Sequence, residues 1–368
     1  MAARIVLLGA TGHTGGLTAR ALVAAGARPV LAGRDPGRLG PLAGCLGGDG
    51  GPLETAAADV TDPSTVRALV GRGDVLLTTV GPFQQLGGAA VGAAVDAGAV
   101  YLDSTGEPPF LRRVFEHSGP RAQRSGAALL PAFGHDYVPG VLAGALALAA
   151  AGERAHRLDV GYTTDGTRGQ AFSRGTLVSL LGVLLEPGHA FTGGRLVEQP
   201  AGARLWRFEV GGRVRRGLSV GGSEHLTLPA LAPSLREIGV FLDWLGPAAP
   251  LAHRLAPLSP WAARLPGVRG AVPRLAGVLG AGVAVSPAPQ PDGRTAVLAE
   301  VRDPAGERVS AVALTGPEPY ALTAALLAWA AVRAATEGVR GTGALGPVQA
   351  FGLDELTAGA AAAGLLPG

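Results

Sequence analysis

The sequence predicts an α/β protein in two parts: an N-terminal doubly wound parallel sheet, then a second α+β domain whose sheet is mostly antiparallel. Three observations predict it. Over residues 1 to 140, short apolar runs alternate with helix-like segments, the pattern of a parallel sheet with crossover helices. A glycine-rich stretch, Gly9 to Gly15, directly follows the first apolar run. From about residue 152 the pattern changes to longer alternating stretches broken by turn sequences. The expected division is 1–140 and 141–339, with a C-terminal segment, 340–368, packing back on the first domain.

Taken in order, the strands expected in the first part are Arg4 to Leu8, Arg28 to Ala32, Thr55 to Ala58, Asp74 to Thr79, Val100 to Asp103 and Ala127 to Pro131. Six strands suit a doubly wound sheet. Two helix starts between them are chemically marked. Asp35-Pro36 and Asp62-Pro63 each place a capping carboxylate before a proline at the first helical position. In the second part, Leu205 to Val210 runs into Gly211-Gly212, a hairpin turn, and Thr295 to Val301 and Arg308 to Leu314 flank Asp303-Pro304-Ala305-Gly306, another. The last segment reads as a loop followed by a helix from Asp354.

Composition narrows the chemistry. All 31 basic residues are arginine. Without lysine there is no Schiff-base amine, no P-loop lysine and no Tyr-x-x-x-Lys reductase pair. A net charge of +3, with arginines scattered along the chain, does not suggest a nucleic-acid footprint. Cys45 stands alone, so no intramolecular disulfide forms and a reducing cytoplasm is the expected location. No zinc spacing links the histidines to it, and no metal is expected. Residues 1 to 8 run straight into an apolar strand, so no secretory leader is expected. Val141 to Ala151 is too short for a membrane span and Ala321 to Ala335 carries Arg333.

In Gly9-Ala10-Thr11-Gly12-His13-Thr14-Gly15, glycines fall at positions one, four and seven between a strand and a helix. Such a loop turns tightly, lets backbone approach a pyrophosphate, and aims helix N-terminal amides at it. Gly9, Thr11, Gly12, His13, Thr14 and Gly15 are therefore candidate dinucleotide ligands. The end of the second strand selects the dinucleotide. A carboxylate there binds ribose hydroxyls, whereas an arginine binds a 2′-phosphate. Arg34 occupies that position, with Arg38 one turn on as a helper, while Asp35 already serves as a cap. NADP is the expected cofactor. Asp59, after the third strand, is a candidate for the adenine, and Gly81, Pro82 and Phe83, after the fourth, for the nicotinamide ribose.

The chain resembles the saccharopine dehydrogenase-like reductases, including trans-acting enoyl reductases of actinobacterial lipid synthesis. The resemblance rests on Gly-Ala-Thr-Gly-x-Thr-Gly at 9–15, Ala-Gly-Arg at 32–34, Val-Gly-Pro-Phe at 80–83, Tyr-Leu-Asp-Ser-Thr-Gly-Glu at 101–107 and Gly-x-Asp-Tyr-Val-Pro-Gly at 134–140. Ser173-Arg174-Gly175-Thr176 resembles the family's entry into its second domain. The resemblance implies a Rossmann-like first domain, a second domain bearing substrate determinants, NADP-linked reduction and a homodimer. It does not carry over a substrate. His135 departs from the Phe or Tyr usual there.

Reducing C=C or C=N requires a hydride at one atom and a proton at the other. Tyr137 and His135, on a loop after the sixth strand, are the candidate donors, with Asp136 orienting the loop or binding a substrate cation. Tyr137 packing, Asp136 capping a helix near Pro139 and solvent protonation form the competing account. Asp103 and Glu107 are further candidates for an amino group, although Glu107-Pro108 also reads as a helix start. Glu224 and His225 lie in a glycine-rich turn of the second part. Residues 240 to 283 mix Phe241, Trp244, Leu251, Leu255 and Trp261 with arginines and prolines; an internal helical layer or dimer contact is the expectation, ahead of a greasy lid or membrane-surface patch. The function expected is an NADPH-dependent oxidoreductase acting on an enoyl or imine bond of a small to medium apolar molecule. A non-catalytic NADP(H) sensor or scaffold is the alternative.

Overall fold

The computed structural model describes residues 3–165, 187–243, 245–246, 249–262 and 293–368. They form two compact units. The first comprises residues 1–106, 110–138 and 320–364; the second comprises 107–109, 139–319 and 365–368.

The first unit is built on a seven-stranded, wholly parallel sheet. Its strands are β1 (Ile5–Leu8), β2 (Val30–Gly33), β3 (Thr55–Ala57), β4 (Val75–Thr78), β5 (Val100–Asp103), β6 (Ala128–Leu130) and the short Gly343–Ala344. The order is 343–344, β6, β5, β4, β1, β2, β3, so strand order reverses beside β1, where doubly wound sheets bind ligands. The central strands are apolar on both faces, as helices on both sides require: Val6, Leu7, Leu8, Leu31, Leu76 and Leu77 are all buried. The two predicted caps form. Asp35 accepts from the Gly37 amide at 2.9 Å and Asp62 from the Ser64 amide at 3.1 Å, each opening a helix at its proline, Pro36–Gly47 and Pro63–Arg67.

Helix Pro319–Glu337 belongs to this unit, whereas the sequence reading placed it in the second domain. Its apolar side is received here: Trp329 packs on Phe133 and Phe351, the latter at 4.9 Å. Helices Pro347–Phe351 and Leu353–Ala362 follow. Trp329 lies so close to the last of them that a Cβ on Gly359 would overlap its indole.

The second unit holds β7 (Arg157–Asp165), β8 (Pro187–Thr192), β9 (Arg195–Pro200), β10 (Leu205–Val210), β11 (Arg213–Ser219), β12 (Glu237–Leu242), β13 (Arg294–Arg302) and β14 (Arg308–Gly316). The order is β10, β11, β12, β7, β13, β14 and the short Leu366–Pro367, with β8 on β12 and β9 on β8. Only β12 and β7 run parallel; the other pairs are antiparallel. Gly211 and Gly212 both take positive φ, 59° and 70°, as a two-residue hairpin requires. The motif Ser173 to Thr176 lies outside the described residues, as do Trp244 and residues 263–283.

Candidate functional site

The candidate site in the first unit is assembled at the carboxyl ends of β1, β2, β4, β5 and β6. The glycine loop leaves β1 anchored to β2, the amides of Gly9 and Ala10 both donating to the Ala32 carbonyl, at 2.8 and 3.2 Å. Gly9 has φ 91°, a conformation that favours glycine, and a Cβ there would sit 2.8 Å from Val80 Cγ2. A Cβ on Gly15 would lie 2.1 Å from the Gly9 carbonyl oxygen. The loop is thus folded on itself more tightly than any side chain allows. Helix His13–Ala24 starts four residues after Gly9, and its first-turn amides have no intrahelical carbonyl to meet.

Around this loop the predicted ligands divide. Arg34 is exposed at the end of β2. Arg38 donates to the Thr11 carbonyl at 3.0 Å, so it braces the loop. Asp59 accepts from the Thr61 amide at 2.9 Å and the Thr61 hydroxyl at 2.8 Å. Those bonds, and to a smaller extent the charge of Arg34, hold its carboxyl below the usual range. Gly81 and Pro82 are exposed. The Phe83 ring is buried against Phe110 at 5.7 Å within the core, which leaves backbone as its contribution to any ligand.

The loops after β5 and β6 are tied together by Asp103. This carboxylate is wholly buried. It accepts from the Tyr101 hydroxyl at 2.7 Å and from the amides of Thr105 and Ala132, each at 2.8 Å. Burial and the neighbouring Asp103 charge push the Tyr101 hydroxyl well above its ordinary pKa, which keeps it a donor. Asp103 is therefore a structural anchor, and the expectation that it binds a substrate amino group is corrected: its oxygens are already occupied.

The loop it positions carries the candidate acids. Ala132 has φ 60°, and from there the chain turns through Phe133 to Tyr137. His135 Nδ1 lies 3.4 Å from Asp136 Oδ1. The His135 ring is buried while Asp136 is half-exposed. The Tyr137 hydroxyl reaches the Gly106 carbonyl at 3.4 Å, and a Cβ on Gly106 would sit 2.4 Å from Asp136 Oδ2. His135, Asp136 and Tyr137 thus come together with Gly106. Helix Val138–Ala151 opens directly afterwards.

Two residues that sequence reasoning missed join these pieces. Thr323 Oγ1 accepts from the His135 amide at 3.0 Å, and the Tyr320 ring meets His13 edge-on at 4.9 Å. Both lie at the start of helix Pro319–Glu337, so one helix touches the glycine loop and the acid loop. Nearly two hundred residues separate Thr323 from His135, and no local signal announces the contact.

In the second unit, Glu224 and His225 are buried. The Tyr162 hydroxyl donates to Glu224 at 2.6 Å and accepts from the Gly140 amide at 3.0 Å. The Gly222 amide donates to His225 Nδ1 at 3.1 Å. Burial, reinforced by neighbouring His189, pulls the His225 pKa down to about 3, so its ring is neutral and structural. Among the described residues, no three His, Cys, Asp or Glu side chains gather as metal ligands.

Comparison with known proteins finds similar sequences over part of the chain. A trans-acting enoyl reductase of Mycobacterium leprae is 42% identical over 137 residues, 37% of this chain and 33% of its own. A second protein, from Mycobacterium tuberculosis and provisionally given the same name, is 40% identical over 184 residues, 49% of this chain and 44% of its own. Over these spans the chain is similar to trans-acting enoyl reductases. Its match spans less than half the length of these relatives. Among solved structures, saccharopine dehydrogenase (L-Glu forming) from Saccharomyces cerevisiae has the same fold, with a TM-score of 0.55 and 14% identity over 97% of this chain and 96% of that one. No family model matches the chain.

Proposed function

We propose that the chain is an NADP(H)-dependent oxidoreductase that reduces the C=C of an enoyl compound or the C=N of an imine in a small to medium apolar molecule. The observation that carries the reading is the cradle at Gly9 and Gly15, where a Cβ at either position would meet atoms of the loop wall closer than 3.0 Å. A loop packed this tightly offers backbone amides rather than side chains to a pyrophosphate. The enoyl alternative is supported by the designation of the relatives.

Thr11 and the first-turn amides of His13, Thr14 and Gly15 hold the pyrophosphate. Arg34 meets the 2′-phosphate with a charged donor fork, while Arg38 keeps the Thr11 carbonyl in place. Asp59 faces the adenosine end, and Gly81 and Pro82 offer backbone to the nicotinamide ribose. When bound, the cofactor supplies the hydride. His135 supplies the proton, and Asp136, 3.4 Å from its Nδ1, holds the ring in place. Tyr137 is the second candidate donor, already aimed at a carbonyl acceptor on Gly106. Asp103 fixes both loops so that the donor need not be ordered at each turnover.

The test is NADPH oxidation against a panel of enoyl esters and imines, with wild type, His135→Gln and Tyr137→Phe. Loss of kcat in His135→Gln with cofactor affinity kept supports His135 as donor. Loss confined to Tyr137→Phe moves the role to Tyr137, and full activity in both removes it from the loop.

A further inference from the structure

The second unit carries an exposed face that the redox reading does not use. Helix Ala249–Leu255 and the turns that follow it are fastened to the sheet by His253, whose Nδ1 lies 2.7 Å from the Gly202 carbonyl. A Cβ on Gly202 would sit 3.2 Å from Ala256 Cβ and 3.9 Å from Leu218 Cδ2, so this segment lies over the Leu218 end of β11. Its large apolar side chains point away from that contact. Leu251, Leu255, Leu258 and Trp261 are 61%, 52%, 58% and 65% exposed, where the sequence reading expected an internal helical layer or a dimer contact; the exposure speaks against the internal layer. Leu251 and Leu255, four residues apart, share one side of the helix.

The neighbouring strands add mainly positive charge. In the β10–β11 pair Leu205 faces Leu218 and Arg207 faces Arg216 directly. Strand alternation puts Leu205, Arg207, Arg216, Val214 and Leu218 on the same face, the one the helix covers at its Leu218 end. Two arginines directly opposed on a sheet repel each other. Arg207, Arg216 and Arg254 are all exposed, and none ion-pairs among the described residues. Glu209 on β10 shares the face of Arg207 and Arg216; residues 249–262 contain no acid.

We infer that this face docks on an anionic lipid surface, with Leu251, Leu255, Leu258 and Trp261 entering the headgroup boundary and Arg207, Arg216 and Arg254 meeting lipid phosphates. Apolar side chains rimmed by arginine are what such a boundary accepts. A second copy seated through a two-fold axis would set the same patch against itself, arginine against arginine. Among the described residues no helix is long and apolar enough to cross a membrane, so the contact is lateral. The inference stands apart from the redox chemistry.

The experiment is co-sedimentation of the full chain with vesicles of phosphatidylcholine alone and of phosphatidylcholine with phosphatidylglycerol, at low and high salt. Binding to the anionic vesicles is expected, weaker at high salt. Arg207→Ala and Arg216→Ala should each weaken partitioning about fivefold, and Trp261→Ser about tenfold. Thermal unfolding and NADPH titration of the variants, unchanged from wild type, show that neither folding nor the first unit was disturbed. No preference for anionic vesicles, or wild-type partitioning in all three variants, overturns the inference. So does a dimer in solution that Trp261→Ser converts to monomer, which would assign the face to a second copy.

Discussion

Gly15→Ala is the sharpest perturbation of the proposed cofactor cradle. The added Cβ would be 2.1 Å from the Gly9 carbonyl oxygen, 2.8 Å from its carbon and 2.9 Å from Thr79 Oγ1. Ordinary contact begins at 3.4 Å, so the Gly9 carbonyl would retreat by 3.4 minus 2.1, or 1.3 Å, against backbone that is itself bonded to Ala32. A shift of that size breaks the alignment of one or two amides with the pyrophosphate. Hydrogen bonds to charged groups contribute about 1.5–3 kcal/mol each, so the loss amounts to tenfold or more in NADPH affinity. Overpacking adds about 1–3 kcal/mol of destabilisation. Fluorescence titration with NADPH and a denaturant melt, run on the same preparation, measure the two effects separately. Folded Gly15→Ala protein that binds NADPH with wild-type affinity would refute the cradle.

Four further outcomes follow from the geometry. Arg34→Ala should weaken NADPH about tenfold or more and leave NADH nearly unchanged, the share of a charged phosphate contact; equal losses for both cofactors would show that Arg34 does not read the 2′-phosphate. Asp103→Ala strands the Tyr101 hydroxyl and two buried amides, and is expected to cost about 3 kcal/mol or more in a urea melt; a cost under about 1 kcal/mol would mean the anchor is dispensable. His225, neutral when folded with a pKa of about 3, binds its proton more readily unfolded. Stability should therefore fall as pH drops from 6.5 towards 3, by up to about 1.4 kcal/mol per pH unit, and His225→Gln should flatten that slope. Gly44→Ala, in a helix with nothing within 4 Å of the new methyl, should stabilise by about 0.5–1 kcal/mol without altering NADPH titration.

The parts legible in the sequence are those decided over a few residues. Apolar runs located β1, β2, β4, β5 and β6, since a buried parallel strand has no polar side to conceal it; β3, with Thr55 and Ala57 exposed, was located by its place in the alternation of strands and helices. Asp35 and Asp62 were readable as caps because a carboxylate two residues before an amide is sufficient. Gly211-Gly212 named its hairpin for a similar reason. Long-range partners were not legible. The pattern of helix Pro319–Glu337 announces an apolar side but not which sheet receives it, so Tyr320 and Thr323 stayed unassigned. Phe83 sits in a motif that invites a ligand role, yet Phe110 takes its ring into the core. Asp103 did have a signal: Tyr101, two residues earlier on β5, points to the same side of the strand and bonds it. Exposure of Leu251 to Trp261 was hidden because an amphipathic segment reads alike whether its apolar side faces a core or solvent.

Isotope transfer tests the central claim most directly. Incubating the chain with NADPH deuterated at the nicotinamide C4, together with the enoyl ester and imine panel, should place one deuterium on carbon in a reduced product. Arg34→Ala should give the same product more slowly at limiting cofactor. Saturating NADPH binding with no deuterium in any product would contradict the reductase account and leave a protein that binds the cofactor without spending its hydride.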